Sequence, residues 1–550
     1  MSKNLSELSG RGGIVDNLFE KMGKAAEQTG TVSQEELDRL ADEFLVGKAN
    51  TYGTITAYDF MKPDNKGKKA YVCNGSACLC AGTQDELISK LQTKLKPEEI
   101  GHMTCLGRCH ENSAFHMYGH NFSGGDINQI DTIISTQAAL QQKDQYNVGG
   151  NKTVLTEEIP DVDSYYQLLS SMFTNGPEKT LDEVKKSNIR GRGGAGFPMG
   201  VKWDFCRKAE SDKKFIICNA DEGDPGAYSD RYLLEERPHS VLFGMMVGAY
   251  CMGAQWGILY IRAEYPEAID IVENAIQELR DRNLLGENIH NSGFNFDFKV
   301  IKAKGAYICG EETALINSIE GQRPEVRTRP PFPAQQGLFN KPTIVNNVET
   351  LAAVHWILEH GGDTYASLGT DKSTGTKLVC LDSFFNKPGM YEVEMGTSLR
   401  TVIDEMGGGF KEPVKAMHIG GPLGGLVPVS KIDDLAIDFE SFNTNGFLLG
   451  HASVVCIPEK VPMINYLEHL MEFAAYESCG KCFPCRLGTT RGHEMFTKAI
   501  NEGYKIDRTL LDDLLETLQQ GSLCAHGGGI PLPVKNALQY FDEELSEYLS

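Results

Sequence analysis

Eight cysteines in a chain of 550 residues form two quartets, Cys73, Cys78, Cys105 and Cys109 near the front and Cys479, Cys482, Cys485 and Cys524 near the back. Thiolates at such spacings in a long chain suit metal or cluster ligation rather than a disulfide frame. The rear quartet is Cys-x-x-Cys-x-x-Cys with a distant fourth member. Three thiolates on one short wrap can each take a corner of a cubane, whereas a zinc knuckle has no use for the third. The front quartet is two pairs, Cys-x4-Cys and Cys-x3-Cys. One pair per iron suits a binuclear centre, although paired knuckles are also the habit of zinc. Cys80 lies beside Cys78 and reads as a small buried hydrophobe.

Between the quartets, Gly191-Arg192-Gly193-Gly194-Ala195-Gly196 fits G-x-G-x-x-G. The dinucleotide fingerprint must follow a strand, but Leu181 to Ser187 is charged and helix-like, so that placement fails. What survives is glycine backbone able to approach an anion, with Arg192 and Lys202 supplying charge. Asn219-Ala220-Asp221-Glu222-Gly223-Asp224-Pro225-Gly226 follows an apolar strand, and Gly310-Glu311-Glu312-Thr313 follows Tyr307-Ile308-Cys309. Strand ends in α/β sheets hold ligands, and acids and amides there can bond ribityl or ribose hydroxyls. Each loop alone could equally be a helix N-terminus favoured by acids.

The elements that must position these groups divide the chain. Ser33 with Glu36 predicts a capped helix whose face is Leu37, Leu40, Ala41 and Phe44, with Gly47 as its stop. Lys69 to Val72 and His102 to Thr104 read as strands feeding Cys73 and Cys105, with a helix from Thr83 to Leu95 and another strand over Asn112 to Tyr118. Gln141 to Asn151 is polar and reads as a linker. Val241 to Ile261 carries no charge, but its glycines predict a buried helix, a turn at Gly253 and a parallel-sheet strand rather than a membrane span. Lys377 to Met417 is β-like, and the chain is helical from about Pro462. With 53 basic against 75 acidic residues the net charge is -22, which argues against nucleic acid as a partner. Met1 to Gly30 lacks an apolar signal core, so a cytoplasmic location is expected.

Taken together, Arg190 to Pro198, Asn219 to Gly226, Gly310 to Leu315, Pro330-Pro331-Phe332-Pro333, Asn346 to Thr350 and Glu477 to Cys482 resemble the flavoprotein, NADH-binding subunit of respiratory complex I. The resemblance extends to the diaphorase subunits of NAD-linked hydrogenases and formate dehydrogenases. The front part resembles their thioredoxin-like [2Fe-2S] partner, fused and shortened. This implies a multidomain α/β and α+β chain: a short helical segment over 1–52, a thioredoxin-like [2Fe-2S] domain over 53–140, a linker over 141–154, a Rossmann-like FMN/NAD(H) domain over 155–375, a β-grasp domain over 376–457 and a helical bundle binding [4Fe-4S] over 458–550.

The resemblance further implies that Gly191, Arg192, Gly193, Gly194 and Lys202 hold the phosphate and ring edge of FMN. Asn219, Asp221 and Glu222 would line its ribityl side, with Gly310, Glu311, Asn346, Asn347 and Thr350 completing the site. NADH would be gripped by Phe197, Phe205 and Phe332, with Asp224 and Glu312 on its polar atoms and Glu312 positioning it for hydride transfer. Acids at Asp224 and Glu312 would repel an added 2′-phosphate only where one lies near the adenosine ribose. Gly223-Asp224 looks more like the hydrogenase and formate dehydrogenase branch, Arg329 stands where lysine is frequent, and His526 replaces an apolar residue and reads as solvent-facing. The expected function is a diaphorase passing electrons to other iron–sulfur subunits that carry the second active site. The alternatives are the NADH-input subunit of complex I and an iron–sulfur redox sensor.

Overall fold

The strand Phe215–Ala220 alternates two buried faces. Ile216 and Cys218 join one core, while Phe215 and Ile217 join another, so both faces must be covered. The computed structural model describes residues 13–27, 29–138 and 147–550. Its central sheet has five strands in the order Thr343–Asn347, Phe215–Ala220, Trp256–Ile261, Phe294–Lys302 and Gly286–Ile289, parallel except for the last. One face is covered by the apolar helix Pro238–Met252, which ends at Gly253 in the left-handed region (φ 74°) before the strand Trp256–Ile261. The uncharged run therefore folds as expected, and among the described residues no helix is long and apolar enough to cross a membrane.

The other face is covered from far away in sequence. The helices Leu18–Ala26, Gln34–Glu43 and Lys48–Ile55 send Leu18, Phe19, Met22, Leu37, Leu40 and Ile55 into one core with Phe215, Ile217, Ile258 and Tyr260. The helices from Leu18 to Ile55 thus form a layer of the central domain. Ser33 caps its helix, with Oγ accepting from the Glu36 N–H at 3.3 Å. Gly47 does not stop that helix, which ends at Glu43; it opens the next one.

The front module is a four-stranded sheet in which Ala70–Cys73 lies between a parallel Ile100–Met103 and an antiparallel Phe115–Met117, with His120–Phe122 at the edge. Of the stretch read as a linker, 141–146 lies outside the described residues and Val148–Gly150 is a strand. It pairs in parallel with Gly389–Glu394 at the edge of a six-stranded sheet. In that sheet Ser453–Pro458 sits between a parallel Thr376–Leu381 and an antiparallel Val414–Ile419, a β-grasp arrangement. Its core runs on into the helices Met463–Tyr476, Phe483–Glu502, Arg508–Gly521 and Pro531–Tyr540.

Because Phe19 is fully buried against the central sheet, Phe19→Ala is expected to destabilise the central domain by about 3–5 kcal/mol. Denaturant unfolding followed by the fluorescence of Trp203, Trp256 and Trp356 checks this; an unchanged midpoint would show that the helical layer contributes nothing to that domain.

Candidate functional site

The glycine loop is a closed turn ahead of the helix Met199–Lys208, with the Gly191 N–H donating to the Phe197 carbonyl at 2.9 Å. Gly193 packs against Asn347, where a Cβ would come within 3.0 Å of the asparagine's own Cβ. Arg192 departs from expectation. Its guanidinium is buried and donates to the carbonyls of Arg190, Thr374 and Thr376, so its charge stabilises the loop's base instead of facing an anion. Its backbone N–H donates to Thr350 Oγ1 at 2.8 Å. Lys202 supplies the accessible cation, with Nζ 2.9 Å from Glu312 Oε2 and 2.8 Å from the Val345 carbonyl.

The other residues expected on the flavin side lie at and after the strand ends, and several are already committed to partners within the protein. Asn346 Oδ1 accepts from Trp203 Nε1–H at 2.8 Å, and Asn347 donates to Asp230 at 2.7 Å while capping the helix Val348–Ala352. Asn219 donates to the Gly310 carbonyl at 2.8 Å, tying the two loops together. Glu311 caps the helix Glu312–Ile319 by accepting from the Thr313 and Ala314 N–H groups. Glu222 is turned inward: its carboxylate accepts from Ser229 Oγ and from the N–H groups of Asp230 and Arg231. It caps a helix instead of presenting charge to a ribityl chain. Asp221 is buried with Oδ2 unpartnered, and burial drives its pKa well up.

On the nucleotide side Phe197, Phe205 and Phe332 are 50 %, 58 % and 53 % exposed, unusual for large apolar rings. Asp224 is held on both oxygens, by the Tyr307 hydroxyl at 2.8 Å and by His451 Nε2 at 3.0 Å. Burial alone would raise its pKa, but His451, Tyr307 and Arg262 outweigh that and lower it. Glu312 lies between Lys202 and Arg329, whose fork spans Glu311 and Glu312.

The cysteines gather as the spacing requires. Cys73, Cys78, Cys105 and Cys109 are buried, with Cys105 and Cys109 sulfurs 3.7 Å apart. The Gly226 N–H donates to Cys109 Sγ at 3.2 Å. The Cys73 thiol is lowered to about 7, first by Cys78 and then, against burial, by the N–H groups of Gly75, Leu106 and Cys105. Backbone N–H groups aimed at sulfur fit anionic cluster ligands. Cys482 caps the helix Phe483–Glu502, Cys485 sits in its first turn, and Cys524 caps Ala525–Gly529 opposite. Among the described residues no three His, Cys, Asp or Glu side chains converge on a single-ion site. Cys80 packs in the β-grasp core and takes no part. His526 is not solvent-facing: it is buried, Nε2–H donating to the Ala474 carbonyl at 2.8 Å, with its ring 5.7 Å from that of Tyr307.

Sequence reasoning missed His451, Tyr307 as an anchor, and Arg262. A charged residue directly after the apolar strand Trp256–Ile261 was the available signal for Arg262.

Residues 184–356 match the Nuo51 FMN-binding domain, 465–548 the NADH-ubiquinone oxidoreductase-F iron-sulfur binding region, and 13–138 the thioredoxin-like [2Fe-2S] ferredoxin. Among curated proteins, the NADP-reducing hydrogenase subunit HndC of Solidesulfovibrio fructosivorans is 43% identical over 70% of this chain and 79% of its own. The second F-type subunit of the NADH-quinone oxidoreductase of Rhizobium meliloti is 41% identical over 70% and 92%. Among solved structures, the H2-reduced NAD+-reducing [NiFe]-hydrogenase has a chain with TM-score 0.85 and 28% identity, covering 97% of this chain and 92% of its own. With such identity spread over most of both chains, this protein belongs to the family of FMN-binding, iron–sulfur flavoprotein subunits shared by NADH-quinone oxidoreductases and NAD(P)-reducing hydrogenases.

Proposed function

We propose that this chain is the diaphorase subunit of a cytoplasmic NAD-linked hydrogenase or formate dehydrogenase, exchanging hydride between NAD(H) and FMN and single electrons with an iron–sulfur partner subunit. The observation that carries the reading is that the glycine loop leads directly into the helix Met199–Lys208, whose Lys202 bridges to Glu312 and through it to Arg329, while Phe197, Phe205 and Phe332 on these same segments carry exposed rings. Aromatic faces left open to solvent suit a planar nucleotide, and the charge bridge suits its polar atoms.

FMN, when bound, accepts a hydride and releases its electrons one at a time. The chain's own work is to bind and orient. Gly191, Gly193 and Gly194 would admit the FMN phosphate to backbone N–H groups and Lys202 would lend it positive charge, while Asn219 with Gly310 and Asn347 with Thr350 fix the two walls. Phe205 and Phe332 set the nucleotide plane, so proximity rather than acid–base chemistry lowers the barrier. The hydrogenase-type assignment rests on the structural likeness spanning 97% of the chain, front module included, whereas the curated relatives cover about 70%.

The protein purified gently should contain FMN, and NADH should bleach its flavin band; a colourless or NADH-inert protein overturns the reading. A nickel–iron or pterin-bearing subunit should co-purify, whereas membrane subunits would favour the quinone-linked assembly. Lys202→Met should lower bound FMN per chain several-fold, measured by fluorescence after release. Phe205→Ala should raise the KM for NADH about tenfold with flavin content unchanged, since one large ring contact is worth that order.

A further inference from the structure

Arg262 follows the central strand Trp256–Ile261 and is almost wholly buried. Its guanidinium reaches into two loops at once. Nη1 donates to the Glu222 carbonyl in the flavin loop, and Nη2 donates to the carbonyl of Cys105, a front-cluster ligand, at 2.8 Å. Nη2 also pairs with Glu264 Oε1 at 2.8 Å, and the Tyr265 ring lies 5.1 Å from the guanidinium carbon.

Glu264 is buried as deeply, and its other oxygen, Oε2, has no partner. It shares that condition with Asp221 Oδ2, and both residues line a cavity of about 10 Å3 together with Asp59, Thr104, Tyr307 and Glu477. That is room for about one water. A carboxylate buried with half its acceptors idle is costly, and hydrogen bonding alone does not account for it.

Charges this deep are little screened by water or salt. Cluster potentials respond to net local charge and to hydrogen bonding around the ligands. A fixed guanidinium charge favours the reduced form of a neighbouring cluster, and a carboxylate charge disfavours it.

We propose that Arg262 and Glu264 are a positioning charge pair that sets the reduction potential of the front cluster, Arg262 raising it and Glu264 lowering it. Through the Glu222 carbonyl the same side chain locks that cluster's loop to the flavin loop. One electron enters or leaves the cluster in the step concerned, and no bond is made or broken in the pair. The proposal rests on the front quartet holding [2Fe-2S].

A redox titration of the full chain, followed by the electron paramagnetic resonance signals of both clusters, tests it. Arg262→Gln should shift the front midpoint down and Glu264→Gln should shift it up. Each should change the reduced-to-oxidised ratio at fixed potential by about tenfold or more, with the rear midpoint unmoved. Arg262→Lys, keeping charge without the fork, should restore most of the shift. Shifts of the same sign in both Gln variants, or none, overturn the proposal, because loosened packing has no reason to act with opposite signs. Should Arg262→Gln fail to fold, Glu264→Gln decides alone, an upward shift supporting the pair and an unmoved midpoint removing it. Absence of any two-iron signal in the unsubstituted protein overturns the cluster assignment and the proposal with it.

Discussion

A buried carboxylate can be held chiefly by N–H and O–H donors that replace its water, and Glu222 is buried in that way. It accepts from Ser229, Asp230, Arg231 and the Tyr265 hydroxyl, so both oxygens are occupied. This cap fixes the start of the helix Ser229–Glu236 and, with it, the course of the preceding loop. Several parts of the redox core then hang from that loop: Asp224 reaches Tyr307 and His451, the Glu222 carbonyl meets Arg262, and the Gly226 N–H meets Cys109. Gly226 has no substitute there, because its φ is 99° and a Cβ would lie 2.7 Å from Val455.

The two quartets differ in what surrounds them. The front sulfurs are enclosed between three modules, with Cys105 and Cys109 belonging to the same core as the central sheet. At the rear, Cys479, Cys482 and Cys524 are partly open, and the exposed Phe483, Leu487 and Leu523 stand beside the ligands. Electron exchange with another protein needs a short approach, which the rear site offers and the front site does not. The enclosed centre suits an internal store tuned by fixed charges, and the open one an exit.

Spacing and periodicity made the local pieces legible. The Cys-x-x-Cys-x-x-Cys wrap, the uncharged helix-turn-strand ending at Ile261 and the Ser33 cap depend on neighbours in sequence, and all three appear in the structure. What stayed hidden is which face meets which. The apolar stripe Leu37, Leu40 and Phe44 announces a buried helix, yet nothing in its period says that it joins the same core as Ile217. Val148–Gly150 is too short and glycine-rich to read as a strand, and it becomes one only by borrowing the edge of Gly389–Glu394. Arg192 and His526 misled for a related reason: a polar residue type suggests solvent or ligand, but each finds backbone carbonyls in the interior.

The same accounting changes the argument for nucleotide choice. An acid repels a 2′-phosphate only while its charge is uncompensated, and here neither candidate is free. Asp224 has the Tyr307 hydroxyl on one oxygen and the His451 imidazole on the other, and, against burial, the pairing raises the pKa of that imidazole. Glu311 and Glu312 face Lys202 and Arg329, two negative charges against two positive. Around the mouth the charges therefore cancel locally, and what a second phosphate would meet is set by geometry: the spread of the Arg329 fork and the walls made by the exposed rings. Whether a second phosphate would find a cation at this mouth accordingly turns on how firmly the two glutamates hold Arg329, since only a released guanidinium could receive it.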